Sequence, residues 1–256
     1  MDYTQEMNVA LELAGKAGVI QMAAQQHALD VERKEDDSPV TAVDRACEDL
    51  ILNGLRETFP EDGFLGEETG ARDGTSGRRW IVDPIDGTRP FIRGIPTYAC
   101  LIGLEADGEQ VVGVICLPAL RETYYASLGA GAFLNDQPIR VSDTCELNRA
   151  TGSALGAVER RNEPVGETLQ ATMSEWDYSY GFMDSYSYGC VAAGRLDLCV
   201  NILDQPWDRA AAACIVSEAG GTYSDIAGNR TIYSDSIIFS NSLLHDAILS
   251  RLQNPL

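Results

Sequence analysis

The stretch Trp80-Ile81-Val82-Asp83-Pro84-Ile85-Asp86-Gly87-Thr88 sets the architecture of this chain. A hydrophobic strand ends there in two aspartates, and a Gly-Thr turn follows at once. Carboxylates at the end of a buried strand are costly to desolvate unless a cation neutralises them. Oxygen ligands beside open backbone amides suit Mg²⁺ and a phosphate group together. The stretch therefore predicts metal-assisted phosphate chemistry at the end of a central strand.

The composition of the whole chain disfavours several classes of protein. The 256 residues carry a formal net charge of −20, which argues against nucleic acid or an anionic membrane as a partner. No apolar run approaches the ~18 residues of a membrane span, and the N-terminus lacks a signal-peptide pattern. The seven cysteines show no CxxC spacing, which predicts reduced thiols in a cytoplasmic protein. His27 and His245 stand apart from any nucleophile motif, which disfavours a phosphohistidine or Ser-His-Asp mechanism.

Hydrophobic spacing predicts helices first and strands afterwards in the N-terminal part. Residues Thr4 to Ala28 read as one helix, and a second runs from Thr41 to Pro60, opened by the capping-box spacing of Thr41 and Asp44. From Trp80 to Ser142 the pattern changes to strands separated by turn residues, which predicts an antiparallel meander. Its apolar runs are Ala99–Leu104, Val111–Leu117 and Thr123–Leu128.

After about Ser142 the pattern alternates between strands and helices. The candidate strands are Gly152–Leu155, Tyr178–Met183, Leu196–Asn201 and Ser236–Ser240. The candidate helices are Pro164–Trp176, Ser185–Ala193, Asp208–Ala219 and Leu243–Leu252. Because no low-complexity linker separates the parts, we expect two halves that share one interface. Residues 1–142 would form an α+β half with most of the candidate metal ligands, and residues 143–256 an α/β half with much of the substrate pocket.

Four acidic side chains stand out as candidate metal ligands: Glu67, Asp83, Asp86 and Asp208. Glu67 ends the short apolar run Phe64-Leu65-Gly66, and Asp208 opens a predicted helix. Each also has a structural interpretation. Glu67 could be a solvated loop acid, Asp86 part of an ordinary turn, and Asp208 the N-cap of its helix. Their occurrence together, in this order, favours one shared site.

Four segments of the chain carry a more specific signal. They are Lys34 with Asp37–Asp44, then Gly66–Glu68, then Trp80–Phe91, and last Trp207–Ala211 leading into Glu218–Gly221. Together they resemble the inositol monophosphatase-like family of Mg²⁺-dependent, lithium-sensitive phosphatases. The resemblance spans nearly the whole chain, and its Asp-Pro-Ile-Asp-Gly-Thr run is highly specific. It implies an α+β / α/β fold, a layered αβαβα sandwich of the sugar-phosphatase type, and a homodimer.

The resemblance also implies a site with two to three Mg²⁺ ions. The first ion would be surrounded by Glu67, Asp83, the backbone carbonyl of Ile85 and Thr88. The second would be held by Asp83, Asp86 and Asp208, with Asp83 bridging. A third, weaker ion would contact Glu67. Two divalent ions on a phosphate neutralise its charge and lower the pKa of a bound water, so no covalent phosphoenzyme is needed.

The catalytic roles implied by the resemblance fall on Glu67, Thr88 and Asp44. Thr88 and Asp44 would form a hydrogen-bonded pair beside the attacking water, and Glu67 would share in taking its proton. The backbone amides of Gly87 and Thr88 would bind the phosphate, while Asp208 and Lys34 would also contact the substrate. Asp44 can fill this role and still close the capping box of its helix.

Two branches of the family compete for the substrate. The segments Gly87–Pro96 and Asp184–Tyr188 resemble the histidinol-phosphate phosphatase branch. Asp184 could pair with the ammonium group of histidinol or act as a plain N-cap. Trp207–Ala211 instead favours the inositol-phosphate branch.

Two substrate-side residues leave further alternatives. Asn201 stands where both branches usually place a glutamate, and its neutral amide suits a sugar hydroxyl rather than an amine. Arg93 could meet a second anionic group or form a surface ion pair. A bisphosphate substrate is disfavoured because no basic cluster extends beyond Arg89 and Arg93.

The sequence leaves two classes of function open. One is a phosphomonoesterase acting on inositol monophosphate or histidinol phosphate. The other is a metal- and phosphate-binding sensor or scaffold without turnover. A non-catalytic protein has no need for Thr88 and Asp44 beside a complete acidic set, and this favours the enzyme.

Overall fold

A computed structural model describes residues 2–27, 29, 31–33, 39–181 and 184–254 of the chain. The helices are α1 (Thr4–Ala24), α2 (Ala42–Thr58), α3 (Thr88–Ile92), α4 (Pro164–Met173), α5 (Asp184–Ala192), α6 (Pro206–Glu218) and α7 (His245–Gln253). The strands are β1 (Val31–Arg33), β2 (Pro39–Thr41), β3 (Gly63–Gly66), β4 (Gly70–Arg72), β5 (Arg78–Asp86), β6 (Ala99–Ala106), β7 (Glu109–Leu117), β8 (Glu122–Ser127), β9 (Gly131–Leu134), β10 (Gln137–Ile139), β11 (Thr151–Leu155), β12 (Tyr178–Tyr180), β13 (Leu198–Asn201), β14 (Gly221–Ser224) and β15 (Ile237–Asn241). A short 3₁₀ turn spans Leu147–Arg149.

The strands form two large sheets and one small pair. The first sheet has eight strands in the order β10-β9-β8-β7-β6-β5-β3-β4, and the second has five in the order β12-β11-β13-β15-β14. In the first sheet only β3 and β5 run parallel, while β6 to β10 follow one another as the predicted antiparallel meander. Strands β1 and β2 pair separately.

Helices and sheets alternate in five layers. Helices α1 and α2 cover one face of the first sheet and share a core with it that includes Ile51, Leu55 and Trp80. Helices α5 and α6 fill the space between the two sheets. Helices α4 and α7 cover the far face of the second sheet around Leu169 and Ile248. The layered αβαβα sandwich expected from the sequence is confirmed.

Helix α6 is buried along most of its length because the sheet beneath it is built to receive it. Eight consecutive residues, Arg209–Val216, are buried. Gly103 and Gly113 face each other across β6 and β7, and a Cβ atom on Gly113 would lie 2.2 Å from the carbonyl oxygen of Ala211. The two glycines therefore make a slot in which the helix backbone approaches the sheet closely.

Several predicted element ends differ from the structure. Helix α1 ends at Ala24, and its C-cap residue Gln25 donates through Nε2 to the Phe91 carbonyl at 2.6 Å. The predicted end at Ala28 lies outside the described residues. Helix α4 ends at Met173 rather than Trp176, whose indole packs over Gly152 of β11 instead.

Other differences lie in the strands and at the end of the second helix. The second predicted helix ends at Thr58, two residues before the proposed end at Pro60. Strand β12 covers Tyr178–Tyr180, and Met183, its predicted end, lies outside the described residues. The sequence patterns did not predict the short helix α3 or the short strands β1, β2, β3, β4, β9, β10 and β14.

The structure also bears on the cysteines and on possible membrane-spanning segments. All seven cysteines are described and none forms a disulfide. Among the described residues, no helix combines the length and apolar character that a membrane crossing requires.

Candidate active site

A cavity of about 260 Å³ opens where the carboxyl end of β5 meets the first residues of α3, α5 and α6. It is lined by Pro39, Glu67, Asp86, Gly87, Thr88, Arg89, Pro90, Asp184, Asp204 and Asp208. Half of these residues are acidic, and among the described residues of the lining only Arg89 is basic. The first sheet supplies part of the lining, and α5, α6 and the residues before α6 supply another part, so the cavity depends on how these helices pack against the first sheet.

Asp83 is a buried carboxylate near the end of the central strand. The pairing of β5 with β6 is irregular between Asp83 and Asp86, which turns this part of the strand out of the ladder. Asp83 Oδ1 accepts a hydrogen bond from the backbone N–H of Ile85 at 2.9 Å. Gln21 of α1 donates to the Pro84 carbonyl at 2.8 Å and holds the bulge from behind.

Asp86 is oriented from the opposite side of the cavity. Its Oδ2 accepts a hydrogen bond from the backbone N–H of Ser185 at 2.8 Å and another from the Ser185 hydroxyl. Ser185 lies in the first turn of α5, so this helix fixes a carboxylate that belongs to β5. The interpretation of Asp86 as part of an ordinary turn does not account for a buried side chain that two donors of α5 hold in place.

Asp208 lies in the first turn of α6 at the third helical position. Gln205 is the N-cap, and its backbone N–H donates to Asp208 Oδ2 at 2.6 Å. The N-cap interpretation of Asp208 is therefore wrong. One carboxylate oxygen each of Asp83, Asp86 and Asp208 can be chosen so that all three lie within 4.8 Å of one another.

These three carboxylates stand in surroundings that disfavour negative charge. Burial and the charges of Glu67, Asp208 and Asp86 raise the pKa of Asp83 well above its ordinary value. Burial raises the pKa of Asp86 to about 7, and burial with the charges of Asp204 and Asp86 raises that of Asp208. Three such carboxylates are all ionised at the same time only when a cation compensates their negative charge. An all-oxygen donor set of carboxylates fits a hard divalent cation such as Mg²⁺.

Glu67 reaches the same cavity from the end of β3. Because β3 runs parallel to β5, the two strands end at the same edge of the sheet, where Glu67 N donates to the Val82 carbonyl at 3.2 Å. Behind it, the buried Glu48 of α2 accepts hydrogen bonds from the backbone N–H groups of Glu68 at 2.9 Å and Thr69 at 2.8 Å. Glu67 is thus a half-buried lining residue of the cavity and not a solvated loop acid.

Thr88 and Asp44 meet beside the carboxylates. The Thr88 hydroxyl oxygen lies 3.1 Å from the Ile85 carbonyl and 3.4 Å from Asp44 Oδ1, and it can donate its one proton to either acceptor. The other oxygen of Asp44 accepts from the backbone N–H and the hydroxyl of Thr41 at 2.8 and 2.6 Å, which completes the capping box of α2. Asp44 therefore makes both contacts expected of it. The left-handed φ of +78° at Gly87, which favours glycine, allows the turn that brings Thr88 here.

Known proteins are similar to this chain over nearly its whole length. A model of the inositol monophosphatase family matches residues 2–255. The chain belongs to the inositol monophosphatase family. The histidinol-phosphatase of Chlorobaculum parvum is 38% identical and the alignment covers 98% of each protein. Inositol monophosphatase 3 of Solanum lycopersicum is 37% identical, over 97% of this chain and 96% of that protein.

Solved structures agree with this assignment. The extragenic suppressor protein suhB from Bartonella henselae is 34% identical, has a TM-score of 0.90, and the match covers 99% of this chain and 100% of that chain. The inositol monophosphatase of Thermotoga maritima is 33% identical with a TM-score of 0.88, over 98% of this chain and 97% of that one. The fold and the class of phosphoric monoester hydrolase expected from the sequence are both confirmed.

The inositol monophosphatase-type cavity also contains Asp184, the first residue of α5. Its Oδ2 is buried, and no described residue donates a hydrogen bond to it. A Cβ atom on Gly87 would lie 3.0 Å from this oxygen, which places the carboxylate directly beside the turn after β5. Burial, together with the charges of Asp86 and Asp204, raises the pKa of Asp184 well above its ordinary value.

Sequence reasoning missed Asp204, which lines the cavity between β13 and α6. The Tyr188 hydroxyl donates to one of its carboxylate oxygens and Asn201 Nδ2 donates to the other. Burial raises the pKa of Asp204 to about 6. A signal was present in the sequence, because Asp204 follows a buried strand and precedes a helix, as Asp86 does.

Two predicted substrate residues, Asn201 and Arg93, are described by the structure but do not line the cavity. Asn201 is fully buried and its side chain is engaged by Asp204, Tyr188 and the backbone N–H of Leu203. It positions a carboxylate and does not present an amide to a ligand. Arg93 is exposed, outside the described lining. Lys34 lies outside the described residues.

Proposed function

We propose that this protein is a Mg²⁺-dependent phosphatase that hydrolyses a small-molecule monophosphate with a metal-activated water. The observation that carries the proposal is the convergence of Asp83, Asp86 and Asp208 within 4.8 Å, three acids from distant parts of the chain. The Thr88–Asp44 contact beside them supplies groups that simple metal storage would not require.

The residues present fit a site for two to three Mg²⁺ ions. Asp83, Asp86 and Asp208 would hold one ion. The second would be held by Glu67, Asp83, the Ile85 carbonyl and Thr88, and a weaker third would contact Glu67. When bound, such ions neutralise a phosphate and lower the pKa of a coordinated water. All of these groups offer the hard oxygen ligands that Mg²⁺ prefers.

The chain's own residues would orient the phosphate and receive a proton. The Thr88 hydroxyl has one proton, and donating it to Asp44 leaves an oxygen lone pair that can accept a proton from water. Burial raises the pKa of Asp44, which suits it as the final acceptor. Glu67 provides a second acceptor, and the backbone N–H groups of Gly87 and Thr88 would bind the phosphate.

Histidinol phosphate is the substrate that we favour. Its ammonium group would satisfy the buried Oδ2 of Asp184, which lacks a donor among the described residues. The acidic lining suits a cationic alcohol better than a second phosphate. The C. parvum relative bears the name histidinol-phosphatase. Inositol monophosphate is the second candidate, supported by the name of the S. lycopersicum relative.

A panel of phosphate esters tests this proposal. Histidinol phosphate, inositol 1-phosphate and a nucleotide bisphosphate are incubated with the protein in Mg²⁺, and released phosphate is measured. We expect hydrolysis of a monophosphate that disappears with EDTA and declines with lithium or at high Mg²⁺. Hydrolysis that is insensitive to EDTA would refute the mechanism. Metal binding without hydrolysis of any ester would favour the sensor or scaffold instead.

Two further expectations concern the location and the oligomeric state of the protein. We propose a cytoplasmic location, which the seven unpaired cysteines support, and a homodimer, which the family resemblance supports. Light scattering coupled to gel filtration measures the mass in solution, and a monomer at micromolar concentration would contradict the second expectation.

A further inference from the structure

The cavity contains two acids that the candidate metal ligands do not include. Asp184 and Asp204 both line it, but the close group of three carboxylates consists of Asp83, Asp86 and Asp208. The charge of Arg89, the exposed basic residue of the lining, favours the ionised form of Asp184, but among the described residues Arg89 forms no ion pair with either acid. A second positive group, apart from the metal ions, would therefore be favoured at this end of the cavity.

Asp204 is held in place by two fully buried side chains. Tyr188 donates its hydroxyl proton to one carboxylate oxygen, and Asn201 Nδ2 donates to the other. Asn201 Nδ2 also lies 2.8 Å from the Tyr188 oxygen, and Asn201 Oδ1 accepts from Leu203 N at 2.8 Å. Each carboxylate oxygen of Asp204 accepts one of these bonds and keeps a second lone pair for a ligand.

Asp204 is not fixed by an ion pair with its buried neighbour Arg209. The guanidinium of Arg209 donates to three backbone carbonyls, those of Ile232, Ser234 and Asp204. Its charge favours the ionised form of Asp204, but the hydrogen bonds to the carboxylate come from Tyr188 and Asn201. Arg209 therefore anchors the loop backbone and leaves the carboxylate for the cavity.

We propose that Asp204, positioned by Asn201 and Tyr188, acts with Asp184 to bind the ammonium group of an amine-bearing phosphate monoester. An ammonium group donates three hydrogen bonds, and the unpartnered Asp184 Oδ2 and the free lone pairs of Asp204 can accept them. Asp204 thereby determines the preference for amino alcohol phosphates over uncharged polyol phosphates. The inference rests on the proposed phosphatase function and names its substrate class.

The first test compares two substrates in the Asp204→Asn variant. Histidinol phosphate carries the ammonium group and inositol 1-phosphate does not. We expect kcat/KM for histidinol phosphate to fall at least about tenfold more than kcat/KM for inositol 1-phosphate, mainly through KM, because a charge-assisted hydrogen bond is lost. Asp143→Asn is the matched control, since Asp143 is exposed and does not line the cavity. Its ratio of the two kcat/KM values should equal that of the wild type.

The second test exchanges the two partners. The double variant Asn201→Asp with Asp204→Asn keeps the total charge and an amide–carboxylate pair, but moves the negative charge from the cavity into the buried position. If Asp204 served only to balance Arg209, the exchange would restore the substrate ratio of the wild type, and this would overturn the inference. We expect the ratio to stay as low as in the single variant.

Three further results bear on the inference. Equal losses of kcat/KM on both substrates, with a raised Mg²⁺ requirement, would assign Asp204 to the metal site. An unchanged ratio of the two kcat/KM values would show that Asp204 does not bind the ammonium group. Either result overturns the inference. Should both Asp204 variants fail to fold, Tyr188→Phe removes one positioning bond and should lower the same ratio. Calorimetric binding of L-histidinol does not depend on turnover: weaker binding to Asp204→Asn supports the inference even if the wild type proves to be no phosphatase.

Discussion

Among single residues, we expect the carboxylates of Asp83 and Asp208 to affect activity separately from stability. Replacing either by the isosteric asparagine removes a candidate metal ligand and also relieves repulsion between buried like charges. We expect Asp83→Asn and Asp208→Asn to lower kcat in saturating Mg²⁺ by more than about a hundredfold, since even outer-shell changes at metal sites cost 10- to 100-fold. Circular dichroism and thermal unfolding should show an intact fold.

The control for this prediction is an exposed aspartate that does not line the cavity. The side chain of Asp73 is 95% exposed, so Asp73→Asn should retain the wild-type rate. An Asp83→Asn variant that turns over like the control would remove Asp83 from the site.

We expect Glu48 to influence activity indirectly, through the position of Glu67. Its buried carboxylate accepts two backbone hydrogen bonds from the loop that follows Glu67. In Glu48→Gln, one acceptor oxygen becomes an NH₂ group that faces a backbone N–H. We expect this to loosen the loop, lower kcat about tenfold, and lower the free energy of unfolding by about 1–3 kcal/mol.

Glu57 on the same helix provides the comparison for Glu48. It is exposed, so Glu57→Gln should change neither kcat nor the urea midpoint. Unaltered kinetics in Glu48→Gln would mean that the loop geometry does not position Glu67.

The sequence predicts the roles of some residues of the site better than those of others. Asp83 and Asp86 were predictable because a buried strand that ends in two acids is rare without a cation. The position of Asp208 beside them required the family resemblance, since nothing local to Pro206-Trp207-Asp208 specifies a partner more than a hundred residues away. The sequence could not show that Asp204, and not Asn201, lines the cavity. Which of two nearby polar side chains faces a cavity depends on tertiary packing.

At the scale of the element, the slot formed by Gly103 and Gly113 sets the depth of α6. A Cβ atom on Gly113 would meet the Ala211 carbonyl at 2.2 Å, a backbone atom that cannot rotate away. Gly113→Ala should therefore push α6 outward and carry Asp208 away from Asp83. We expect a loss of about 1–3 kcal/mol in the free energy of unfolding and a raised Mg²⁺ requirement for activity, measured by urea unfolding and a metal titration.

A helical glycine without close neighbours tests whether the slot, and not glycine itself, matters. A Cβ atom on Gly15 in α1 would meet nothing within 4 Å. Gly15→Ala should leave activity unchanged and stabilise the protein by up to about 1 kcal/mol through helix propensity. If Gly113→Ala matched Gly15→Ala in both measurements, the close packing of α6 would have no influence on the site.

Elements were predictable from the sequence in proportion to their length. The long helices α1 and α2 and the strands of the meander carry enough side chains for a period to appear. Strand β3 has four residues, two of them glycine, and therefore no readable alternation. Its parallel pairing with β5, which brings Glu67 to the site, depends on the crossover through the chain between them and left no mark in the local pattern.

For the molecule as a whole, the net charge of −20 leads us to expect that the proposed metal ions affect stability as well as catalysis. The buried acids of the cavity add local repulsion to the repulsion between surface charges. A ligand that binds only the folded state stabilises it by mass action, by about 2.7 kcal/mol at 100 times its dissociation constant. We expect Mg²⁺ to raise the thermal midpoint of the wild type and to have a much smaller effect on Asp208→Asn.

The pH dependence of stability without metal follows from the same carboxylates. The pKa of Asp86 is raised from 3.8 to about 7 in the folded protein, so between these values the folded state binds more protons than the unfolded state. The free energy of unfolding then falls as pH rises through this interval. His245 contributes with the opposite sign, because burial lowers its pKa, and its contribution is removed by comparing two proteins that both contain it.

The comparison is between the wild type and Asp86→Asn in EDTA. From about pH 5 to about pH 8, the wild type should lose stability relative to the variant, which has no carboxylate to deprotonate at this position. Urea midpoints across this range give the difference directly. Saturating Mg²⁺ should abolish the relative loss, because bound cations keep the carboxylates ionised in the folded state. A wild type that gains on the variant as pH rises in EDTA would mean that Asp86 is already compensated by groups of the protein itself, and the site would then need no metal to carry its charge.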